Sequence, residues 1–158
     1  MSKILSFDVS SVSTGWAFIF NGKLKEFGKI ELPNSFRLQE KLYYFDSVIN
    51  ALLKIFDPTY VIIEETYLKN VKTLKTLMQF IAILNYECIY QSNIEPIFVS
   101  PQSVRSRFKL KTKEDVFNYV KNKYKAKFRN YTFETGNDMT DATLQGLYWY
   151  DVLIENGD

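Results

Sequence analysis

Asp8, the adjacent Glu64 and Glu65, and the pair Asp138 and Asp141 are the residues whose type and spacing could do chemistry. Asp8 closes the apolar run Lys3-Ile4-Leu5-Ser6-Phe7, and small residues from Val9 to Gly15 lead into a second run, Trp16-Ala17-Phe18-Ile19-Phe20. Strands disfavour aspartate, so an acid at a strand tip either caps the serine-rich turn beyond it or serves a site. Glu64 and Glu65 end another apolar run, Thr59-Tyr60-Val61-Ile62-Ile63. Asp138 and Asp141 stand three apart, neighbours on one face of a helix expected over about Asp138 to Ile154. Acids in a first turn are favoured by the helix dipole. The same face continues through Gln145, Tyr148, Trp149 and Val152, however, and reads as buried, where an acid needs a partner.

What that partner can be is narrowed by composition. The chain has no histidine and one cysteine, Cys88. Ser-His and Cys-His nucleophiles, thiolate clusters and histidine-containing zinc sites are excluded. Cys88 reads as a core thiol of a reducing compartment. Oxygen-only ligands suit Mg²⁺, with Mn²⁺ as a substitute. Two such ions about 4 Å apart can activate water and stabilise the leaving oxygen in phosphodiester cleavage.

A phosphodiester partner also fits the charge pattern. The net charge is only +2, yet half of the 20 lysines and arginines fall between Val99 and Tyr131. They include Arg105, Arg107, Lys109, Lys111 and Lys113, then Lys121 to Arg129, opposed only by Glu114 and Asp115. Such a block is an electrostatic footprint for a polyanion.

The elements that must position these residues follow from periodicity. Asn21-Gly22 between apolar segments is a hairpin turn, and a third strand runs from about Lys23 to Leu32. A helix is expected from Phe36 to Phe56 on steps of three and four, stopped by Asp57-Pro58. Thr59–Glu65 suits a strand buried on both faces. A helix from Val71 through Cys88 follows, then a short strand, Glu95–Val99, and a short helix from Pro101. Thr112 with Asp115 forms a capping-box start for a helix whose apolar face is Val116, Phe117, Val120, Tyr124 and Phe128. The 158 residues read as a single domain spanning 1–158. No run of 18 apolar residues suggests a membrane span, and no signal peptide is expected, so a cytoplasmic location is expected. The order predicts an α/β fold with a mixed five-stranded sheet, an antiparallel three-strand meander plus parallel strands, and helices on both faces.

These motifs carry a family resemblance. Ile4-Leu5-Ser6-Phe7-Asp8 with Thr14-Gly15, Val61-Ile62-Ile63-Glu64 followed by Tyr67-Leu68-Lys69-Asn70, and Asp138-x-x-Asp141-Ala142 resemble the motifs of RuvC-type Holliday junction resolvases, in the RNase H-like superfamily and its compact phage-encoded branch. The resemblance implies a homodimeric, Mg²⁺-dependent endonuclease that nicks four-way DNA junctions, with forks and flaps as further possible substrates. It implies Asp8, Glu64, Asp138 and Asp141 as catalytic metal ligands, and Tyr67 as an aromatic near the crossover. Lys69, Arg105, Arg107, Lys109, Lys111 and Lys113 would contact DNA, with Lys113 in register with the family's lysine near the scissile phosphate. Strand alternation sends Glu64 and Glu65 to opposite faces, and motif register selects Glu64. The Val71–Gln91 helix, with surplus apolar residues such as Phe80 and Ile83, is the expected dimer interface. Three alternatives stay open: an RNase H-like or RuvX-type nuclease for RNA or RNA–DNA hybrids, a junction binder without catalysis, and, least favoured on length, an actin-like kinase domain. Cleavage preference and any branch-migration motor are not encoded legibly.

Overall fold

Alternation along the first strand, β1 (Lys3–Asp8), decides where everything else packs. Leu5, Phe7 and then Val9 face one way and are fully or almost fully buried. Ile4, Ser6 and Asp8 face the other. In the computed structural model, which describes residues 1–66 and 70–157, β1 is the middle of a five-stranded sheet. Its antiparallel neighbour β2 (Ser13–Phe20) pairs in turn with β3 (Lys23–Glu31). On the other side lie the parallel strands β4 (Tyr60–Glu64) and β5 (Ile97–Val99), giving the order β3-β2-β1-β4-β5. The expected mixed α/β sheet is what forms.

The meander closes as its sequence requires. Asn21 and Gly22 both take positive φ, 47° and 74°, the conformation of a two-residue hairpin turn that matches strand twist. Register then slips by one residue, so that Phe18 faces Glu26 while Ile19 faces Leu24. The carbonyl of the skipped Lys25 accepts a 2.7 Å hydrogen bond from Lys127 Nζ.

One face of the sheet is covered by α1 (Leu38–Phe56) and α2 (Val71–Tyr86). Leu5, Phe7, Val61 and Ile63 pack there against Phe45, Ile49, Phe80, Leu84 and Cys88. The other face carries α3 (Pro101–Arg107), α4 (Lys113–Lys123), α5 (Lys125–Phe128) and α6 (Phe133–Asn156) over Ile4, Ala17, Ile19, Ile62 and Val99. Cys88 is buried and unpaired as expected, and burial pushes its thiol up to about 12. Among the described residues no helix is long and apolar enough to cross a membrane.

Several boundaries differ from expectation. The last helix begins at Phe133, five residues before Asp138, because Thr132 and Thr135 cap it reciprocally and Gly136 lets it pack against Tyr131 and Phe117. Asp138 and Asp141 therefore lie beyond the first turn, and the dipole does not account for them. The helix from Thr112 breaks at Tyr124 (φ −123°, ψ 48°) into α4 and α5. After Tyr86, α2 continues as a π-helical turn, Glu87–Gln91, where buried Glu87 accepts a 2.6 Å hydrogen bond from Asn50 Nδ2. Phe80 is no surplus surface residue: it is fully buried, edge-on to Phe45. The exposed apolar residues of this region are Val71, Met78, Tyr86, Ile89 and Tyr90.

Candidate active site

Two of the acids meet because two parallel strands end together. β1 and β4 pair in register as far as Phe7 with Ile63, so the next residues, Asp8 and Glu64, lie side by side at the carboxyl edge of the sheet. With Phe7 and Ile63 committed to the α1–α2 core, alternation directs both carboxylates under α6. Glu65 follows the end of β4, and its N–H donates to the Val99 carbonyl at 2.9 Å. Asp8 does not cap the turn. That work falls to Thr14, whose Oγ1 accepts from Ser10 N at 3.0 Å and donates to the Ser10 carbonyl at 3.1 Å.

The other two acids arrive on α6, which comes unusually near the sheet. A Cβ on Gly15 would sit 2.1 Å from the Asp138 carbonyl oxygen, and one on Gly146 would strike Ile19 and Ser6. Only glycine allows either approach. Ser6 Oγ donates a 2.6 Å hydrogen bond to the Ala142 carbonyl, beside Asp141. This seam sets the height of Asp138 and Asp141 over Asp8. Gln145, one turn on from Asp141, donates from Nε2 to Glu64 Oε2 at 2.9 Å, while its buried Oε1 has no hydrogen-bond partner among the described residues.

A fifth charge comes from the amino end of α4. Thr112 Oγ1 accepts from Asp115 N at 3.0 Å, and Asp115 Oδ2 accepts from Thr112 N and Lys111 N at 2.9 and 3.0 Å. This is the capping box that the sequence predicts, and its hydrogen bonds hold the Asp115 carboxyl below the usual range. It fixes the helix start so that Lys113 Nζ lies 2.9 Å from Asp141 Oδ2 and 4.0 Å from Asp8 Oδ2.

The electrostatics are those of crowded, partly compensated acids. Burial, then repulsion from Glu64 and Asp141, raises the Asp8 carboxyl well above its ordinary range, against the pull of Lys113. Burial and Asp141 raise Glu64 to about 7, although Lys113, Arg105 and the Gln145 hydrogen bond oppose this. Burial raises Asp141 as well. Asp138 is near enough to add to the repulsion at both aspartates. The Lys113 ammonium is held charged by the acids around it, more strongly than burial disfavours it.

The remaining basic residues divide. Arg105 and Lys111 line a groove of about 560 Å³ with Ser100, Gln102 and Ser106, and Arg105 is near enough to lower both Glu64 and Asp141. Arg107 turns instead to the far end of α6, bound to Glu155 Oε1 at 2.5 Å and 3.8 Å from Asp151. Those two acids lie about 15 to 21 Å along the helix from Asp141 at 1.5 Å per residue. Lys109 is exposed at a positive φ of 57°. Farther on, Lys121 donates to the Tyr131 carbonyl and Lys127 to that of Lys25, so part of the block ties loops down. Tyr67 and Lys69 lie outside the described residues. Sequence reasoning missed Ser6 as a tie to α6 and Gln145 as a partner of Glu64. Only the buried phase of the Asp138 face pointed toward the second.

No family model matches the sequence, and no curated protein matches it. Solved structures do. Thermus thermophilus RuvC, in a complex with a Holliday junction substrate, superimposes with a TM-score of 0.81 at 13% identity, over 98% of this chain and 96% of that one. The fold is that of RuvC. The yeast mitochondrial Holliday junction resolvase Ydc2 matches at TM-score 0.71 and 13% identity, over 98% and 81% of the two chains. The fowlpox virus resolvase, in a complex with Holliday junction DNA, matches at 0.64 and 20% identity, over 96% and 99%. Identities this low speak for the fold, and the site must be judged on its own residues.

In this RuvC-like frame the donor set fits a hard divalent cation. Every candidate ligand is a carboxylate oxygen, and Lys113 with Arg105 leaves the four acids short of positive charge. Among the described residues no three of these side chains already enclose a metal position; Lys113 stands between Asp8 and Asp141.

Proposed function

We propose that this chain is a Mg²⁺-dependent endonuclease that resolves four-way DNA junctions as a homodimer. One observation carries the reading: Asp8, Glu64, Asp138 and Asp141 converge at the carboxyl edge of a RuvC-like sheet, beside the groove of Arg105 and Lys111. Asp8 and Asp141, with Glu64 and Asp138 flanking them, would hold two Mg²⁺ ions, or Mn²⁺ in their place. Such a pair supplies activation of the attacking water and stabilisation of the leaving oxygen.

The chain's own residues do the rest. The Ser6–Ala142 tie and Gly15 hold the acids of α6 over those of the strands. Gln145 fixes the Glu64 rotamer. Arg105 and Lys111 clamp backbone phosphates without reading sequence. Paired nicks need two sites facing opposite strands, which a twofold dimer provides. The exposed apolar residues Val71, Met78, Tyr86, Ile89 and Tyr90 on α2 and its π-helical extension support an interface there.

Cleavage of a synthetic four-way junction in Mg²⁺ tests the proposal, with an RNA–DNA hybrid as the competing substrate. Asp8→Asn is expected to bind the junction and not cut it. Equal cutting by the variant, or preference for the hybrid, would overturn the reading.

A further inference from the structure

We infer that Lys113 is the site's own cation, occupying the acidic cluster until a divalent ion enters and then moving out to the phosphate groove. The inference rests on the metal-dependent reading above and adds a coupling to it. The Lys113 ammonium contacts Asp141 Oδ2 at 2.9 Å and approaches Asp8 Oδ2 at 4.0 Å. A metal ion held by Asp8 and Asp141 would draw on these same two carboxylates, so ammonium and metal compete for them.

Local forces do not explain the lysine's position. It is the first residue of α4, where the helix dipole repels a cation. What draws it in is the unbalanced charge of the buried acids. Its side chain is still 45% exposed, and a flexible four-carbon stem lets the ammonium swing outward without moving α4. Lys111 and Arg105 already line the groove nearby, so a DNA phosphate there offers the displaced ammonium a new partner. Metal and DNA then help each other bind, and such coupling is reciprocal.

The test is Mn²⁺ affinity of the full chain without DNA, read by electron paramagnetic resonance. Lys113→Met should tighten Mn²⁺ binding about tenfold, while Lys113→Arg, which keeps the charge, stays near wild type. In EDTA the Met variant should melt below wild type and regain the difference when Mn²⁺ is added. A variant that folds only with Mn²⁺ supports the inference equally. In Ca²⁺, with binding read by isothermal titration calorimetry, adding a four-way junction should tighten metal binding in wild type and much less in the Met variant. An unchanged Mn²⁺ affinity in Lys113→Met, or equal junction coupling in both proteins, overturns the inference and leaves the nuclease reading standing. If neither protein binds Mn²⁺, the metal-dependent reading fails, and the inference fails with it.

Discussion

Ser6 Oγ and the Ala142 carbonyl oxygen are 2.6 Å apart, a hydrogen bond that joins β1 to α6 across 136 residues of sequence. Ser6 stands two residues before Asp8, and Ala142 one after Asp141. The bond therefore sets the distance between two acids that the chain supplies from opposite ends. Ser6→Ala should cost about 1 kcal/mol of stability. Its effect on junction cleavage should be larger, about tenfold, because small misplacements of reacting groups are expensive. Urea unfolding alongside single-turnover cleavage separates the two losses.

Gly15→Ala tests the close approach on the next strand. The added methyl would overlap the Asp138 backbone, and neither β2 nor α6 has a flexible side chain to yield there. Destabilisation of about 1–3 kcal/mol is expected from overpacking, with loss of cleavage even where the protein is folded. Circular dichroism melts and a junction-cleavage assay check it.

Arg105 and Arg107 are two residues apart and should behave differently. Arg105 lines the groove beside the acids, whereas Arg107 is engaged by Glu155 and Asp151. Arg105→Ala should weaken junction binding and lower the salt slope by about one. Arg107→Ala should leave both nearly unchanged. Fluorescence anisotropy across a salt series distinguishes them.

The metal-free protein should lose stability as pH rises through the range set by its acids. Glu64 has a folded value of about 7 against an unfolded 4.5. Below about pH 4.5 both states keep the proton. Between the two values the unfolded chain releases it first, so stability falls with rising pH, by on the order of 3 kcal/mol for this group. Asp8 and Asp141, also raised, act in the same direction. Asp8→Asn, which removes one repelling charge, should melt higher than wild type at pH 8 in EDTA while being inactive. Thermal melts from pH 5 to 8, with and without Mg²⁺, check both expectations.

Where local chemistry determined local structure, it could be read directly. The Asn21-Gly22 turn, the Thr112/Asp115 capping box and the strand tips at Asp8 and Glu64 each needed only their neighbours in sequence. The start of α6 did not. Gly136 and Asn137 are weak helix formers; Gly136 packs against Tyr131 and Phe117, outside the segment, while Asn137 Nδ2 donates to the Phe133 carbonyl at 2.8 Å. The break at Tyr124 was hidden because Phe128 beyond it still packs on the same core, which keeps the apolar period running through the kink. Gln145 and Glu64 lie 81 residues apart, and no pattern in either stretch names the other.

The early start of α6 also bears on how the site moves. Helix ends open first, and the residues from Phe133 to Asn137 form such an end. Beyond it the helix is buried without interruption from Met139 to Leu147, so its amides should be among the last to exchange with solvent. The protein can thus yield at the rim of α6 while Asp141 stays in a slow-opening part of the molecule.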